Sequence, residues 1–429
     1  MSEPRVFFGY EHERDRHTLA AYQHSGGYSA LDKALTMMTP AEVQQTVLAS
    51  GLQGRGGAGF STGIKWDFID ERAPVKYLCC NIDEGEPGTF KDRWILEHSP
   101  HQLVEGMLIA AYAIGARHAF AYIRGEFDLP LRRLQEALAE ARAAGFVGEF
   151  ILGTEFSCDI VVHRGAGAYV CGEESSLINS LEGKKGFPRN KPPFPALKGL
   201  YQKPTVVNNV ETLATVPWII DNGGEAYATI GVKKSPGTRL FGVSGHVARP
   251  GIFERPTGYP LRDLIMNDAG GMLGGKALKA VIPGGSSTPI LTAEEALAAT
   301  LDPESMAKAG TMLGSGAVIV IAEGTCMVRL LQVLSRFYAH ESCGQCTPCR
   351  EGTDWMNQIL GRIVAGEGTP ADLATLRAIP TGIRGNTICA LGDAAAMPVA
   401  SFLAKFGHEF EHYVRTGRSL CDGRLEAAA

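Results

Sequence analysis

The stretch Tyr77-Leu-Cys-Cys-Asn-Ile-Asp-Glu-Gly-Glu-Pro-Gly88 decides the fold class. Tyr77 to Ile82 is a short, nearly continuous apolar run, the pattern of a strand covered on both faces. It runs straight into a loop of acids and glycine, Asn81 to Gly88. Downstream, Ser99-Pro100 opens an apolar helix to about Gly115, and Phe120 to Ile123 reads as a second strand. Leu131, Leu134 and Leu138 mark an amphipathic helix ending near Gly145. Ile160 to His163 is a third strand, and a helix begins near Glu173. This β-α-β-α-β-α alternation predicts an α/β domain with a parallel sheet and flanking helices.

Ligands of such sheets lie beyond the carboxyl ends of the strands. Two acid- and glycine-rich loops stand there, Asn81 to Gly88 and Arg164 to Glu174. Their acids can accept hydrogen bonds from a nucleotide or flavin, ligate a metal, or simply face water. With no histidine nearby in sequence, hydrogen bonding is the favoured reading.

Upstream, Thr39-Pro40-Ala41-Glu42 is a capping box with proline at the first helical position, and the helix it opens stops at Gly51. Then comes Gly54-Arg55-Gly56-Gly57-Ala58-Gly59-Phe60. It satisfies G-x-G-x-x-G, but a helix rather than a strand precedes it, so it is not an ordinary dinucleotide fingerprint. Its physical content is a run of backbone N–H groups that can cradle phosphate, with Arg55 and Lys65 as flanking cations. The plain alternative is a flexible turn. The first 40 residues read as an extension packed over another domain.

Lys191-Pro192-Pro193-Phe194-Pro195 is a stiff segment that either holds a lysine and a ring over a cleft or connects domains. Asn208-Asn209, wedged between apolar residues, either satisfies buried backbone or reads a flavin or phosphate. From about Thr238 the texture becomes a small α+β unit: a hairpin of Leu240 to Ser244 and Gly251 to Glu254, a short helix at Leu261 to Asn267, and strands at Ala280 to Ile282 and Ala317 to Ala322. Gly284-Gly285-Ser286-Ser287 reads there as a tight loop.

The last hundred residues predict a four-helix bundle. Cys343, Cys346 and Cys349 stand with two residues between neighbours, and Cys389 follows after a further 39 residues. Two-residue gaps aim several thiolates inward from one loop, with a fourth ligand from elsewhere, the arrangement of a [4Fe-4S] cluster. Zinc is the competing ligand and favours paired C-x-x-C or histidines. Cys79, Cys80, Cys158, Cys171, Cys326 and Cys421 read as packing residues. Composition is ordinary for a globular protein: 429 residues, 45% hydrophobic, 20% charged, formal net charge −5. The absence of a basic run argues against nucleic acid. No signal-peptide pattern or membrane-length apolar run is present, so a cytoplasmic location is expected.

Taken together, the glycine loop with Thr62-Gly63-Ile64-Lys65-Trp66, Asn81 to Arg93, Gly165 to Glu174, Lys191 to Pro195, Asn208-Asn209-Val210-Glu211-Thr212, and Glu341 to Gly352 with Cys389 resemble, in that order, the NADH-binding flavoprotein subunits of bacterial respiratory complex I. The resemblance implies a Rossmann-like FMN domain (1–237, with the N-terminal extension), a ubiquitin-like, β-grasp domain (238–324) and a cluster-binding helical bundle (325–429). It implies FMN held by Gly54, Arg55, Gly56, Gly57, Ala58, Gly59, Lys65, Asn81, Asp83, Glu84, Tyr169, Gly172, Glu173, Asn208, Asn209 and Thr212. Glu86 and Glu174 are then expected at the nicotinamide end of NADH, with Phe60, Phe68, Lys191 and Phe194 around its adenine end. Cys343, Cys346, Cys349 and Cys389 would ligate the [4Fe-4S] cluster, at a bundle end expected to pack close to the flavin. Ile82, Gly85 and Ser175 depart from the family's usual residues.

The implied partners are the other peripheral-arm subunits, especially the small [2Fe-2S] thioredoxin-like subunit and the large iron–sulfur subunit. The implied place is the cytoplasmic side of the inner membrane, without membrane insertion. The diaphorase subunits of NAD-linked hydrogenases and formate dehydrogenases share the same core. They often carry fused iron–sulfur extensions, and Met1 lies only about 50 residues before the glycine loop, which favours complex I. A zinc-stabilised docking protein is the rival of a different class.

Overall fold

The computed structural model describes residues 5–8, 16–70 and 72–421, so the readings of the extreme N-terminus fall largely outside the described residues. The chain divides into two compact units: Met1–Gly85, Thr89–Phe241 and Ile252–Tyr259 form one, and Glu86–Gly88, Gly242–Gly251 and Pro260–Ala429 the other.

The first unit opens with helices α1 (Leu19–His24), α2 (Ser29–Met37) and α3 (Pro40–Ala49). The capping box of α3 forms as read: Thr39 accepts from Glu42 N–H while the Glu42 carboxylate accepts from Thr39 N–H. After the glycine loop come α4 (Thr62–Asp67), β1 (Tyr77–Ile82), α5 (Lys91–His98), α6 (Pro100–Ile114), β2 (His118–Ile123), α7 (Asp128–Ala143), β3 (Asp159–Arg164) and α8 (Glu174–Leu181). Then follow α9 (Pro195–Lys198), β4 (Thr205–Asn209), α10 (Val210–Asn222) and α11 (Gly224–Ala228). The sheet is parallel in the order β3-β2-β1-β4. Its fourth strand is a finding: Thr205 to Asn209 pairs with Tyr77 to Asn81, although Asn208-Asn209 interrupts the apolar run that marks the other strands.

The core is built around α6 and α10. All of α6 except Tyr112 is buried. Gly106 sets how closely α6 meets α10, because a Cβ there would stand 2.0 Å from the Leu213 carbonyl oxygen. The N-terminal extension is fastened to this core by buried hydrogen bonds. Glu105 on α6 accepts from the Tyr22 hydroxyl (2.5 Å) and from Leu31 N–H (2.9 Å), and Glu254 accepts from the N–H groups of Val6, Phe7 and Phe8.

Past the two-residue strands β5 (Gly231–Val232) and β6 (Ser235–Pro236), a five-stranded sheet runs in the order β10-β9-β11-β7-β8. Its strands are β7 (Thr238–Gly245), β8 (Gly251–Pro256), β9 (Leu278–Ile282), β10 (Leu291–Thr292) and β11 (Ala317–Ala322), with short helices α12 (Leu261–Asp263), α13 (Ala293–Ala298) and α14 (Pro303–Lys308). Strand β11 is parallel to β7 and antiparallel to β9, the mixed pattern of a small α+β domain. The four bundle helices follow: α15 (Met327–Glu341), α16 (Thr347–Val364), α17 (Pro370–Ile383) and α18 (Leu391–Thr416). The fourth continues for ten residues beyond Phe406, where its backbone leaves helical geometry (φ −122°, ψ 21°). Leu331, Met356, Leu360, Leu376 and Phe402 fill the bundle core. Within this unit Lys279 of β9 forms a buried 2.6 Å ion pair with Glu409 of α18, joining strands to bundle. No helix among the described residues is long and apolar enough to cross a membrane.

Candidate functional site

A cavity of about 840 Å³ opens in the first unit, within the size range of small-molecule sites. It lies where β1 and β4 end, at Asn81 and at Asn208 and Asn209. Its wall also includes Gly54, Gly56, Ala58, Gly59, Phe60, Lys65, Phe68, Gly172, Glu173, Glu174, Lys191 and Phe194. Three phenyl rings in that wall, Phe60, Phe68 and Phe194, are each more than half exposed, available to cover a flat aromatic ligand. Pro195, Ala196, Leu197 and Val207 complete it. Ala196, Leu197 and Val207 carry no polar side chain, so nothing in the sequence marks them as cavity residues.

The glycine loop closes on itself: Gly54 N–H donates to Phe60 O (2.8 Å) and Thr62 N–H to Leu52 O (2.8 Å). Gly57 (φ +128°) and Gly59 (φ +68°) have conformations that a side chain would strain, and a Cβ at either would meet nothing within 4 Å. The loop is thus an open backbone cradle. Across from it, a Cβ on Gly56 would come within 3.2 Å of Asn209 Cβ. These features fit a phosphate-bearing planar cofactor: bare N–H groups at one end, exposed rings, and room between.

Arg55 does not face the cradle. Its side chain is fully buried, and its guanidinium donates to the Tyr227 hydroxyl and to the carbonyls of Pro236 and Thr238 at 3.0–3.1 Å. The expected phosphate cation is instead a scaffold residue. Thr212 is buried too, accepting from Arg55 N–H (2.8 Å), and so fixes the loop from behind. Glu84 is likewise turned away from the cavity; its carboxylate accepts from Asp92 N–H (2.8 Å) and Arg93 N–H (3.1 Å) at the start of α5.

Charge in the cavity wall is organised about Glu174. Lys65 Nζ lies 2.9 Å from one of its oxygens and donates also to Val207 O (2.8 Å). Lys191 Nζ lies 2.8 Å from the other and 2.9 Å from Glu173. Burial pushes the Glu174 carboxyl up, but Lys65 and Lys191 outweigh it and hold the group below the usual carboxylate range. Glu173 caps α8, accepting from the N–H groups of Ser175 (2.8 Å) and Ser176 (3.0 Å) and from the Ser175 hydroxyl. Ser175 is therefore part of the cap.

Asn81 donates to Gly172 O (2.8 Å) and accepts from Asp83 N–H (3.0 Å), linking the two acidic loops. Asp83 is half-buried beside Gly172, and Tyr169 opens the 3₁₀ turn that ends at Gly172. Gly85 leaves space that Arg124 takes: a Cβ would stand 2.5 Å from its guanidinium and 3.0 Å from the Tyr169 ring. Ile82 is fully buried in the core. Asn208 accepts from the Trp66 indole N–H (2.9 Å). Behind Asn209 lies an ionic cluster that no motif announces: Lys91 contacts Asp92 (2.6 Å) and Glu211 (2.9 Å), all three nearly solvent-free. Glu86 belongs to the second unit, where its carboxylate accepts from Ser287 N–H (2.7 Å) and the Ser286 hydroxyl (3.4 Å). The Gly284–Ser287 loop thus holds a carboxylate.

In the second unit Cys346 is the N-cap of α16, Cys349 sits in its first turn, and Cys343 precedes them across Gly344 (φ +78°). Cys389 stands just before α18. Three of the four thiols thus sit at or beside helix N-termini, and burial pushes the Cys349 thiol up. Cys343, Cys346 and Cys389 are partly exposed and Cys349 is buried, with the Ser342 hydroxyl 3.3 Å from its sulfur. Among the described residues, no three His, Cys, Asp or Glu are drawn together tightly enough for a single metal ion. Cys343 and Cys346 lie near Cys349 at the start of one bundle helix, and Cys389 precedes another; a polynuclear centre takes such ligands on separate metal atoms. The other six cysteines are all buried, as packing residues should be.

Known proteins resemble this chain along most of its length. Residues 47–218 match the family model described as the Nuo51 FMN-binding domain, 239–320 an SLBB domain, and 329–413 the NADH-ubiquinone oxidoreductase-F iron-sulfur binding region. The fold and its parts therefore define an FMN-dependent, iron–sulfur flavoprotein. The chain is 53% identical over 405 residues to the F 2 subunit of NADH-quinone oxidoreductase in Rhizobium meliloti (strain 1021), covering 94% of this chain and 96% of that protein. It is 52% identical over 415 residues to the F subunit of NADH-quinone oxidoreductase in Mycobacterium tuberculosis (strain ATCC 25618 / H37Rv), covering 95% and 93%. A chain of an NAD+-reducing [NiFe]-hydrogenase in the H2-reduced state superposes with a TM-score of 0.83 at 38% identity, covering 96% of this chain and 67% of that one. The chain belongs to the family of NADH-quinone oxidoreductase F subunits.

Proposed function

We propose that this chain is the NADH-oxidising subunit of a complex I, binding FMN and NADH in the cavity bounded by the glycine loop, Asn81, Glu174 and Asn209. The observation that carries the assignment of residues is the cradle itself: an open glycine backbone facing Asn209, with exposed phenyl rings and a paired lysine–glutamate wall in one cavity. Bound FMN supplies hydride acceptance and the conversion to single electrons, and a [4Fe-4S] cluster on Cys343, Cys346, Cys349 and Cys389 supplies the one-electron carrier.

The protein's own part is alignment. The Gly54–Gly59 backbone and Asn209 would receive the phosphate. Phe60, Phe68 and Phe194 would cover the adenine end of NADH with Lys191, and exclude water from the cleft. Lys65, bridging Glu174 and the Val207 carbonyl, holds one charge at a fixed place in the wall. Glu174 stays ionised at neutral pH because two ammonium groups face it, so it can accept hydrogen bonds from a carboxamide or ribose but cannot donate a proton. No side chain is required as general acid or base, since the transferred group is a hydride.

Partners would be the peripheral-arm subunits, among them the small [2Fe-2S] and large iron–sulfur subunits, with the assembly peripheral on the cytoplasmic face of the membrane. The hydrogenase diaphorase is the second reading, favoured by the 0.83 TM-score. Higher identity to the NADH-quinone oxidoreductase relatives, with near-complete coverage of both chains, supports complex I. Anaerobic visible spectra of the purified complex test the function. A flavin band that bleaches on NADH addition is expected, whereas colourless protein with one zinc per chain would overturn it.

A further inference from the structure

Asn209 is held by three partners at once. Its amide oxygen accepts from Lys91 Nζ (3.2 Å) and from Glu211 N–H (3.0 Å), and its amide nitrogen donates to Asp92 Oδ2 (2.6 Å). Reversing the amide would set its NH2 against two donors, so its orientation is fixed. One N–H goes to Asp92, leaving the second for the cavity that Asn209 lines. That side chain also faces Gly56 of the glycine cradle and caps the thirteen-residue helix α10.

Lys91 and Asp92 do not line the cavity. Both are nearly solvent-free, and Asp92 acts in two directions: Oδ1 takes Lys91 and Oδ2 takes Asn209. A carboxylate can accept on both sides, whereas an amide in its place could accept on only one. Burying a lysine with Asp92, Glu211 and the nearby Glu84 is an expensive way to build a helix start, and the one polar group of the cavity wall that this pair grips is Asn209.

We propose that Lys91 and Asp92 are positioning residues for the flavin phosphate, locking the Asn209 carboxamide so that its remaining N–H serves as a phosphate donor and the site prefers FMN to riboflavin. The inference rests on the flavin reading of the cavity. It assigns the preference for the phosphorylated flavin to a buried ion pair outside the cavity wall.

The test is flavin binding to the full chain after reversible removal of FMN, followed by quenching of flavin fluorescence, with FMN and riboflavin titrated separately. Lys91→Met is expected to weaken FMN about tenfold, the loss of about one charge-assisted hydrogen bond, and to leave riboflavin affinity unchanged. In the Asn209→Ser background, which keeps a capping oxygen on α10, Lys91→Met is expected to cause no further loss. Should Lys91→Met fail to fold, Asp92→Asn serves instead, because it keeps the side chain's shape yet breaks one of the two contacts. Equal weakening of FMN and riboflavin, no weakening of either, or additive losses in the double variant would overturn the proposal. Wild-type chain that bound neither flavin would overturn the flavin reading itself.

Discussion

Lys65 and Glu174 meet at 2.9 Å in the cavity wall, and Lys191 holds the opposite oxygen of the same carboxylate at 2.8 Å. Because Glu174 titrates below the usual carboxylate range, the interaction is complete above about pH 4.5 and is lost only as pH falls through the lowered value. Across pH 6 to 8 this group therefore adds no slope to NADH binding. Glu174→Gln is expected to raise the KM for NADH about tenfold, with kcat changed far less, as for loss of one charge-assisted contact. Steady-state kinetics with an artificial acceptor measure this, and an unchanged KM would remove Glu174 from the nucleotide site.

Glu86 supplies a parallel case. Its carboxylate is held by Ser287 N–H at 2.7 Å, so Glu86→Gln should keep the loop in place while weakening the acceptor. A rise in KM for NADH at unchanged flavin content is expected; normal KM would separate Glu86 from the substrate.

Arg55 distinguishes the structural reading from the one its neighbourhood in the glycine loop suggests. With its guanidinium buried on Tyr227, Pro236 and Thr238, Arg55→Met is expected to destabilise the chain by roughly 2–4 kcal/mol. FMN affinity of the fraction that folds should change less than about threefold, under one hydrogen bond's worth. A stable protein with weakened FMN binding would return Arg55 to the phosphate.

That residue shows where sequence reasoning stops. The capping box at Thr39 and the strand at Tyr77 to Ile82 are legible because each is a local pattern with one physical meaning. Whether Arg55, Glu84 or Thr212 faces the cavity depends on side-chain direction in irregular backbone, which no periodicity encodes. Strand β4 is hidden because Asn208 and Asn209 trade hydrophobicity for contacts with Trp66, Lys91 and Asp92. Lys91 itself has the look of an ordinary surface residue at a helix start. Only the fold sets it against Glu211, 120 positions along the chain.

Glu105 gives a stability prediction of opposite sign to Glu174. It is fully buried, and burial pushes its carboxyl up to about 7, against the lowering effect of the Tyr22 hydroxyl and nearby backbone N–H groups. Between the unfolded value near 4.5 and about 7 the unfolded chain ionises first. Stability is therefore full below that window, falls as pH rises through it, and is flat above. The drop is on the order of 3 kcal/mol. Denaturant unfolding at pH 5 and pH 7.5 should show it in the wild type and a smaller difference in Glu105→Gln. Equal pH slopes in the two proteins would contradict the assignment.

On the proposed function, Cys343, Cys346, Cys349 and Cys389 are the ligands of the cluster that would pass electrons singly. The most direct measurement is Cys389→Ser in the intact complex, with iron content, flavin content and EPR followed before and after NADH. The flavin should be retained and still bleach with NADH, while iron falls and the EPR signal of this cluster is lost. A variant that keeps its full iron and an unaltered cluster signal would contradict this assignment.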